Sequence, residues 1–437
     1  MKPYWYRVKI LITNIVTLNA GDAAILYAMI DVLRTAFGHD TEFIVYDKHG
    51  DVPSRYYPEI IFRNLLYQTR ESTTAKRGNA LSSRLDQLRF KAGFWFLKRG
   101  VPLLPQVFLD RIERRDLLEY KTADLIVSSG GTYLVENYSM AARIFDYHIS
   151  LYLERPLVFF TQSLGPFQNP ENRAALRPIF DESVAILVRD EQSRRNLNEL
   201  GVKNKNVHVV ADAAFALSDL EALESAKLRV AQPGKRLRVA ISVREWKYFK
   251  TVEPAQGMNH YYEALRALSD HLVEKYGAEI SFLSTCQGMP EYWTDDSRVA
   301  QKIVEGLSPN TRKSVSVDSD FHSPPVLART LKDYDLVIAT RMHMAILALS
   351  VGTPVLPIAY EFKMRELFER LAQERWVQDI EAISGDALID AVDQFLEALP
   401  EIREPLFTAV QKEYENAAAS GHLVRQAFEE WRQTRKK

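Results

Sequence analysis

Cysteine is nearly absent: Cys286 is the single one in 437 residues. No internal disulfide can therefore form, and the sequence has no pair of residues with zinc-ligand spacing, so a reducing compartment without a structural metal is expected, namely the cytoplasm. Net charge is almost absent too. A formal charge of -1 gives no whole-chain basis for binding nucleic acid, and any cationic function must be local. Long apolar runs are also missing, since none approaches the roughly 18 residues a membrane span needs. The opening "MKPYWYRVKILITNIVTLNAGD" holds a short apolar run, but charges interrupt it and Asn19 and Asp22 end it without a small-residue cleavage site. It reads as a first buried strand rather than a signal segment. Short-period repeats and low-complexity tracts are absent as well.

What is present is a globular composition, 46% hydrophobic and 26% charged. A chain of this length exceeds one ordinary core, so two domains are expected. The first half alternates apolar or β-branched runs with helical patterns: "VKILIT", "DAAILYAMIDVLRTAF" and "TEFIVYD", and later "ADLIVSSGG", "RPLVFFTQSLGP", "VAILVRDEQSRRNLNELGV" and "NVHVVADAAFAL". The runs lack period-2 alternation, as parallel strands covered on both faces do. The charged stretch closed by Pro233 and Gly234 reads as a linker. A second series follows: "LRVAISV", "AEISFLSTCQG", "DLVIATR" and "TPVLPIAY". The fold class is thus α/β, two doubly wound Rossmann-like domains whose carboxyl strand ends face a central cleft. The expected domains are 1–220, 236–400, and a helical tail over 401–437 that packs back across them.

An insertion near 65–118 breaks the pattern. Residues 65–99 hold eight Lys or Arg (Arg70, Lys76, Arg77, Arg84, Arg89, Lys91, Lys98, Arg99) against two acids, Glu71 and Asp86. Interleaved with Phe and Trp, these suit either a helix lying on an anionic membrane surface or a helical lid packed on its domain.

Every candidate for chemistry follows a predicted parallel strand, where open α/β sheets hold their ligands. In "TLNAGDAAIL", Asn19, Gly21 and Asp22 precede a helix; Asp22 is read as its N-cap or as a group for a sugar hydroxyl. Gly130 and Gly131 in "SSGGTYL" permit close approach of a ligand or simply a tight turn. Gln162 and Ser163 close another strand. Arg189, after "VAIL", offers a fork to phosphate or carboxylate, or pairs with Asp190 or Glu191. Arg244 in "ISVREW" repeats that placement. Arg341 and His343 flank Met342 and, in extended geometry, share one face; Lys363 follows "PVLPIAY". A lone histidine is commonly structural, but beside an arginine and a lysine it suits proton movement near a multiply charged anion.

Taken in order, "LNAGDAAILYAMIDVL", "DLIVSSGGTYL", "FFTQSLGPF", "ILVRDEQSRRNLNELGV", "VVADAAFAL", "DLVIATRMHMAILALSVGTPVLPIAY" and the lysine of "YEFK" make the sequence resemble the polysaccharide pyruvyl transferase family over residues 8 to 370. Residues 50–118 lie outside the resembling motifs. The resemblance implies a fold like the GT-B glycosyltransferases, with the acceptor on the N-terminal and the donor on the C-terminal domain. It also implies transfer from phosphoenolpyruvate to two hydroxyls of a sugar, giving a pyruvate ketal and phosphate without metal or other cofactor. By matching position, Arg341 and His343 are the family's arginine and histidine pair, and Arg189, Arg244 and Lys363 the remaining cationic donor ligands. His343 is then the expected general acid or base, with Asp22 at the sugar hydroxyl. The implied partners are phosphoenolpyruvate and a saccharide or lipid-linked oligosaccharide; separately, the basic aromatic insertion leads to an expectation of peripheral association at the cytoplasmic membrane. Two other readings stay open: a glycosyltransferase using a nucleotide sugar, and a sugar-binding component of polysaccharide assembly that has lost catalysis.

Overall fold

The computed structural model describes residues 7–68, 80–136, 139–229 and 234–435. It contains two compact units, one of Met1–Thr17, Met29–Ala213 and Ala418–Lys437, the other of Leu18–Ala28 and Ala214–Ala417. Each is built on one parallel sheet.

In the first unit the strands are β1 (Lys9–Ile15), β2 (Glu42–Asp47), β3 (Phe62–Asn64), β4 (Leu125–Ser128), β5 (Gly131–Leu134), β6 (Leu157–Leu164), β7 (Ala185–Val188) and β8 (Val207–Val209). Their order is β3-β2-β1-β4-β6-β7-β8, with β5 paired to β6. Every residue of β4, β6 and β7 is buried, which is why these strands read as unbroken apolar runs. Leu11, Ile126, Phe159, Ile186 and Phe180 join one core. The edge strands β3 and β8 are three residues each and only partly buried.

The second unit holds β9 (Arg238–Ser242), β10 (Glu279–Phe282), β11 (Val315–Val317), β12 (Leu336–Ala339), β13 (Val355–Ala359) and β14 (Gln378–Asp379). Their order is β11-β10-β9-β12-β13-β14. The strand order reverses between β9 and β12, and this switch point is where a doubly wound sheet opens a crevice at its carboxyl ends. Val239, Ile241, Phe282, Ile338 and Ile358 form the core beneath it.

Two helices are shared by both units. Helix α1, Ala20–Phe37, contributes its first turns through Ala28 to the second unit and its remainder to the first. The helix Gly385–Thr434 divides at Ala417 in the same way. Residues 401–434 are therefore no separate tail but the continuation of a helix that starts at Gly385. It runs on through Pro400 and Pro405, although each proline removes a ladder hydrogen bond. Burial of Leu399, Ile402, Leu406, Phe407 and Val410 offsets that loss. The stretch read as a linker contains the short helix Leu220–Lys227, capped by Asp219. The insertion is helical, with helices Ala80–Lys98, Leu104–Phe108 and Arg111–Thr122. Arg70, Glu71, Lys76 and Arg77 lie outside the described residues.

Candidate active site

The candidate residues separate by unit. Asn19, Gly21, Asp22, Arg244, Arg341, His343 and Lys363 belong to the second, while Gly130, Gly131, Gln162, Ser163 and Arg189 belong to the first.

The second unit gathers its members at the sheet's switch point. Arg341 follows β12 and remains extended as N-cap of the helix Met342–Ser350, so His343 is that helix's second residue. The expectation of one shared extended face is thereby corrected: the chain turns helical at Met342, and the two side chains reach different partners. Arg341 donates Nε to Asp296 Oδ2 at 2.9 Å and Nη2 to Asp296 Oδ1 at 2.6 Å. Burial works against this guanidinium's charge, but the adjoining Asp296 carboxylate prevails and raises its pKa well above the ordinary arginine value. Ser284 Oγ donates to the same carboxylate at 2.5 Å.

The imidazole of His343 lies against helix α1. A Cβ built on Gly21 would meet His343 Nδ1 at 2.8 Å and its Cβ at 2.9 Å, closer than carbon contacts allow. The glycine of "NAGD" is therefore required by the histidine of "RMHM". Asn19, not Asp22, caps α1: its Oδ1 accepts from Gly21 N–H at 2.9 Å, and its carbonyl accepts from Ala23 N–H. Asp22 falls in the first turn, where a carboxylate complements the helix dipole. Ala20 N–H donates to Thr285 O at 3.0 Å, tying this turn to the loop after β10.

That loop carries Cys286, and its thiol reports how these groups converge. Burial pushes it up to about 12, and Arg341, Asp296, Asp22 and Arg244 all act on it. At neutral pH it remains a thiol, not a nucleophilic thiolate.

Arg244, two residues beyond β9, lies half-buried with its guanidinium 4.1 Å from the centre of the Tyr360 ring and 5.2 Å from that of Trp246. Its Nε donates weakly to Glu245 O at 3.3 Å. Among the described residues no carboxylate lies within ion-pair distance of it. Lys363, at the start of the helix Phe362–Arg370, is 3.2 Å from Glu361. The cations thus differ: Arg341 is neutralised by a buried acid, Lys363 by a partly exposed one, and Arg244 is stacked with its charge uncompensated.

The first unit's candidates form an interior network. Arg189 is 7% exposed and donates Nε to Ser163 Oγ at 2.8 Å, Nη2 to Thr132 Oγ1 at 2.8 Å, and Nη1 to Asp212. Pairing with Asp190 or Glu191 is replaced by pairing with Asp212, because Asp190 instead caps the helix Glu191–Leu200 and accepts from Ser163 Oγ at 2.6 Å. Buried Gln162 donates Nε2 to Ser128 Oγ at 2.6 Å and Ser129 O at 2.8 Å. Gly131 has φ +125°, and a Cβ there would meet the Tyr133 ring at 2.6 Å, so backbone geometry demands glycine.

Sequence reasoning missed Asp296, Tyr360 and Asp212. An acid three residues past a strand, as in "VVAD", was a signal for Asp212, whereas nothing local distinguishes Asp296 from Asp295. Among the described residues no group of three His, Cys, Asp or Glu converges to hold a metal ion.

The chain is 25% identical over 420 residues to the amylovoran biosynthesis protein AmsJ of Erwinia amylovora, covering 92% of this chain and 95% of that one. Its fold is similar to that of a putative UDP-N-acetylglucosamine 2-epimerase from Listeria monocytogenes, with TM-score 0.54, 12% identity and coverage of 95% and 94%. It is also similar to sucrose-phosphate synthase from Thermosynechococcus elongatus, with TM-score 0.54, 14% identity and coverage of 97% and 99%. These distant likenesses give a GT-B-like fold and nothing of the chemistry. The family model for polysaccharide pyruvyl transferase matches residues 19–361, from the N-cap of α1 to the carboxylate beside Lys363, and the chain belongs to that family.

Proposed function

We propose that this transferase moves the enolpyruvyl group of phosphoenolpyruvate onto two hydroxyls of one sugar, in a surface polysaccharide or its lipid-linked precursor. The observation that carries the reading is the uncompensated charge of Arg244 beside Arg341, Lys363 and His343 at one switch point. A donor with a carboxylate and a phosphate calls for such cations, and Asp296 fixes Arg341 by Nε and Nη2 so that Nη1 remains for an anion.

The reaction balances without metal or redox partner. One sugar hydroxyl adds to C2 of the enol as C3 takes a proton and becomes a methyl group. Phosphate leaves with the C–O electron pair, and the resulting oxocarbenium centre is captured by the second hydroxyl. Of the two hydroxyl protons released, one is balanced by the new C–H bond and the other leaves with phosphate or solvent. His343 is the proposed carrier, and Arg244 and Lys363 stabilise the charge growing on the leaving phosphate. Asp22 is proposed to orient a sugar hydroxyl, and the first unit to present the acceptor. The proposed setting is the cytoplasm, at the inner face of the membrane.

Phosphate release from phosphoenolpyruvate tests this, using lipid-linked oligosaccharides extracted from cells that lack the protein. Release that needs both substrates and falls by about 100-fold to 10,000-fold in His343→Ala supports ketal transfer. Equal release without acceptor removes it.

A further inference from the structure

The described insertion helices sort their charges between faces. In the helix Ala80–Lys98 the acid Asp86 is 2% exposed and bound to Arg89 Nε at 2.9 Å. In the next helices Glu113 and Asp116 are fully buried. Glu113 takes two further bonds from Arg89 at 2.9 Å, and Asp110 is engaged as a capping box. The bases go the other way: Arg84, Lys91, Arg99 and Arg111 are exposed. Ordinary surface helices interleave both signs on their outer face, and this one does not.

The same face is apolar. Leu85 is 61% exposed, Leu88 63% and Trp95 42%, and at 100° per residue they fall within one strip, with Arg84 and Lys91 along its flank. Arg99 lies 3.7 Å from the Trp95 ring centre, placing a cation beside an amphipathic ring. Phe96 stacks on Phe108 with centroids 5.5 Å apart, which joins this strip to Leu103 and Val107, 72% and 73% exposed. Beneath it Phe90, Phe94 and Leu97 are buried in the first unit's core. The helix is therefore anchored inward and still presents leucines and a tryptophan outward, against the hydrophobic effect.

We infer that this face docks on an anionic phospholipid surface, with Leu85, Leu88, Trp95, Leu103 and Val107 entering the acyl boundary and Arg84, Lys91 and Arg99 at the headgroups. A bilayer is favoured over a protein partner because Arg84, Lys91 and Arg99, the exposed charges flanking the apolar strip, are all positive, and because leucine and tryptophan with flanking bases are what an interfacial helix requires. No helix of the described residues is long and apolar enough to cross the membrane, so attachment is peripheral. The face shares no residue with the proposed donor site, and vesicle binding is read without turnover, so the two proposals fail independently.

The test is co-sedimentation of the full chain with vesicles of phosphatidylcholine alone and of phosphatidylcholine mixed with phosphatidylglycerol. Salt is set at about 0.1 M and at about 1 M, where the Debye length falls from about 10 Å to about 3 Å. Binding should require phosphatidylglycerol and disappear at high salt. Each base near such a surface contributes a factor of about 5, so Arg84→Glu/Lys91→Glu should weaken binding at least about 25-fold. Leu88→Ser/Trp95→Ser should weaken it too, with unchanged circular dichroism and thermal midpoint in both variants. Absence of binding at low salt, or binding indifferent to lipid charge and to both variants, overturns the proposal. So does a dimer in sedimentation velocity that Leu88→Ser/Trp95→Ser dissolves, since a second copy would then own the face.

Discussion

Replacing Gly21 with alanine probes the contact between the first motif and the histidine. The new Cβ would lie 2.8 Å from Nδ1 and 2.9 Å from Cβ of His343. The histidine cannot retreat easily, because Met344–Ser350 directly behind it are buried. Overpacking of this kind costs about 1–3 kcal/mol, while alanine in place of glycine within a helix returns up to about 1 kcal/mol. The single variant should thus be neutral to about 3 kcal/mol less stable. In a His343→Gly background the sign should reverse, and Gly21→Ala should stabilise by up to about 1 kcal/mol. Glycine is needed there, because the histidine's own Cβ makes part of the overlap. Denaturant midpoints of the four proteins give a coupling of about 1–3 kcal/mol. Phosphate release by Gly21→Ala should fall by about 100-fold, the usual consequence of moving a reacting group by about 1 Å. If Gly21→Ala stabilises the protein with His343 in place and leaves turnover unchanged, the contact and its catalytic meaning are both refuted.

Other perturbations follow from the same geometry. Asp296→Ala strands a buried guanidinium and should cost about 3–5 kcal/mol, most of it recovered in Asp296→Leu/Arg341→Met; denaturant midpoints that add independently would contradict the pair. Arg244→Lys retains charge but loses the planar stack on Tyr360, so the KM for phosphoenolpyruvate should rise about 10-fold with the fold intact by circular dichroism. In the first unit, burial pushes Asp146 up from 3.8 to about 7, partly offset by hydrogen bonds from Thr13, Tyr120 and the Tyr67 backbone, while Asp116 raises it further. A folded-state pKa above the unfolded value means stability is full below about pH 4 and declines as pH rises toward and past 7. The loss is at most about 4 kcal/mol. Melting from pH 5 to 8 should show this decline in the native protein and a flatter profile in Asp146→Asn.

Much of the fold was legible because fully buried parallel strands announce themselves. β2, β4, β6, β9, β12 and β13 lie within the apolar runs read from the sequence, and β1 continues two residues past its run. The edge strands β3, β11 and β14 were not, being two or three residues long with half-exposed side chains that leave no hydrophobic signature. Strand-end placement located Arg244, Arg341, His343 and Lys363, but it could not rank them. Ranking depends on Asp296, which comes from a distant helix start, and on Tyr360, which lends Arg244 a ring instead of a counter-charge. The same rule picked out Arg189, Gln162 and Ser163, whose polar atoms turn inward to join β4, β6 and β7. Position after a strand identifies polar ends; only the partners decide whether they bind one another.

Calorimetric titration of the purified protein with phosphoenolpyruvate, beside Arg244→Ala and a panel of nucleotide sugars, tests the central claim most directly. Saturable binding of phosphoenolpyruvate that Arg244→Ala abolishes, with no heat from the nucleotide sugars, is the predicted result. Binding of a uridine or guanosine diphosphate sugar with none of phosphoenolpyruvate would contradict it and make the protein a glycosyltransferase on the same fold.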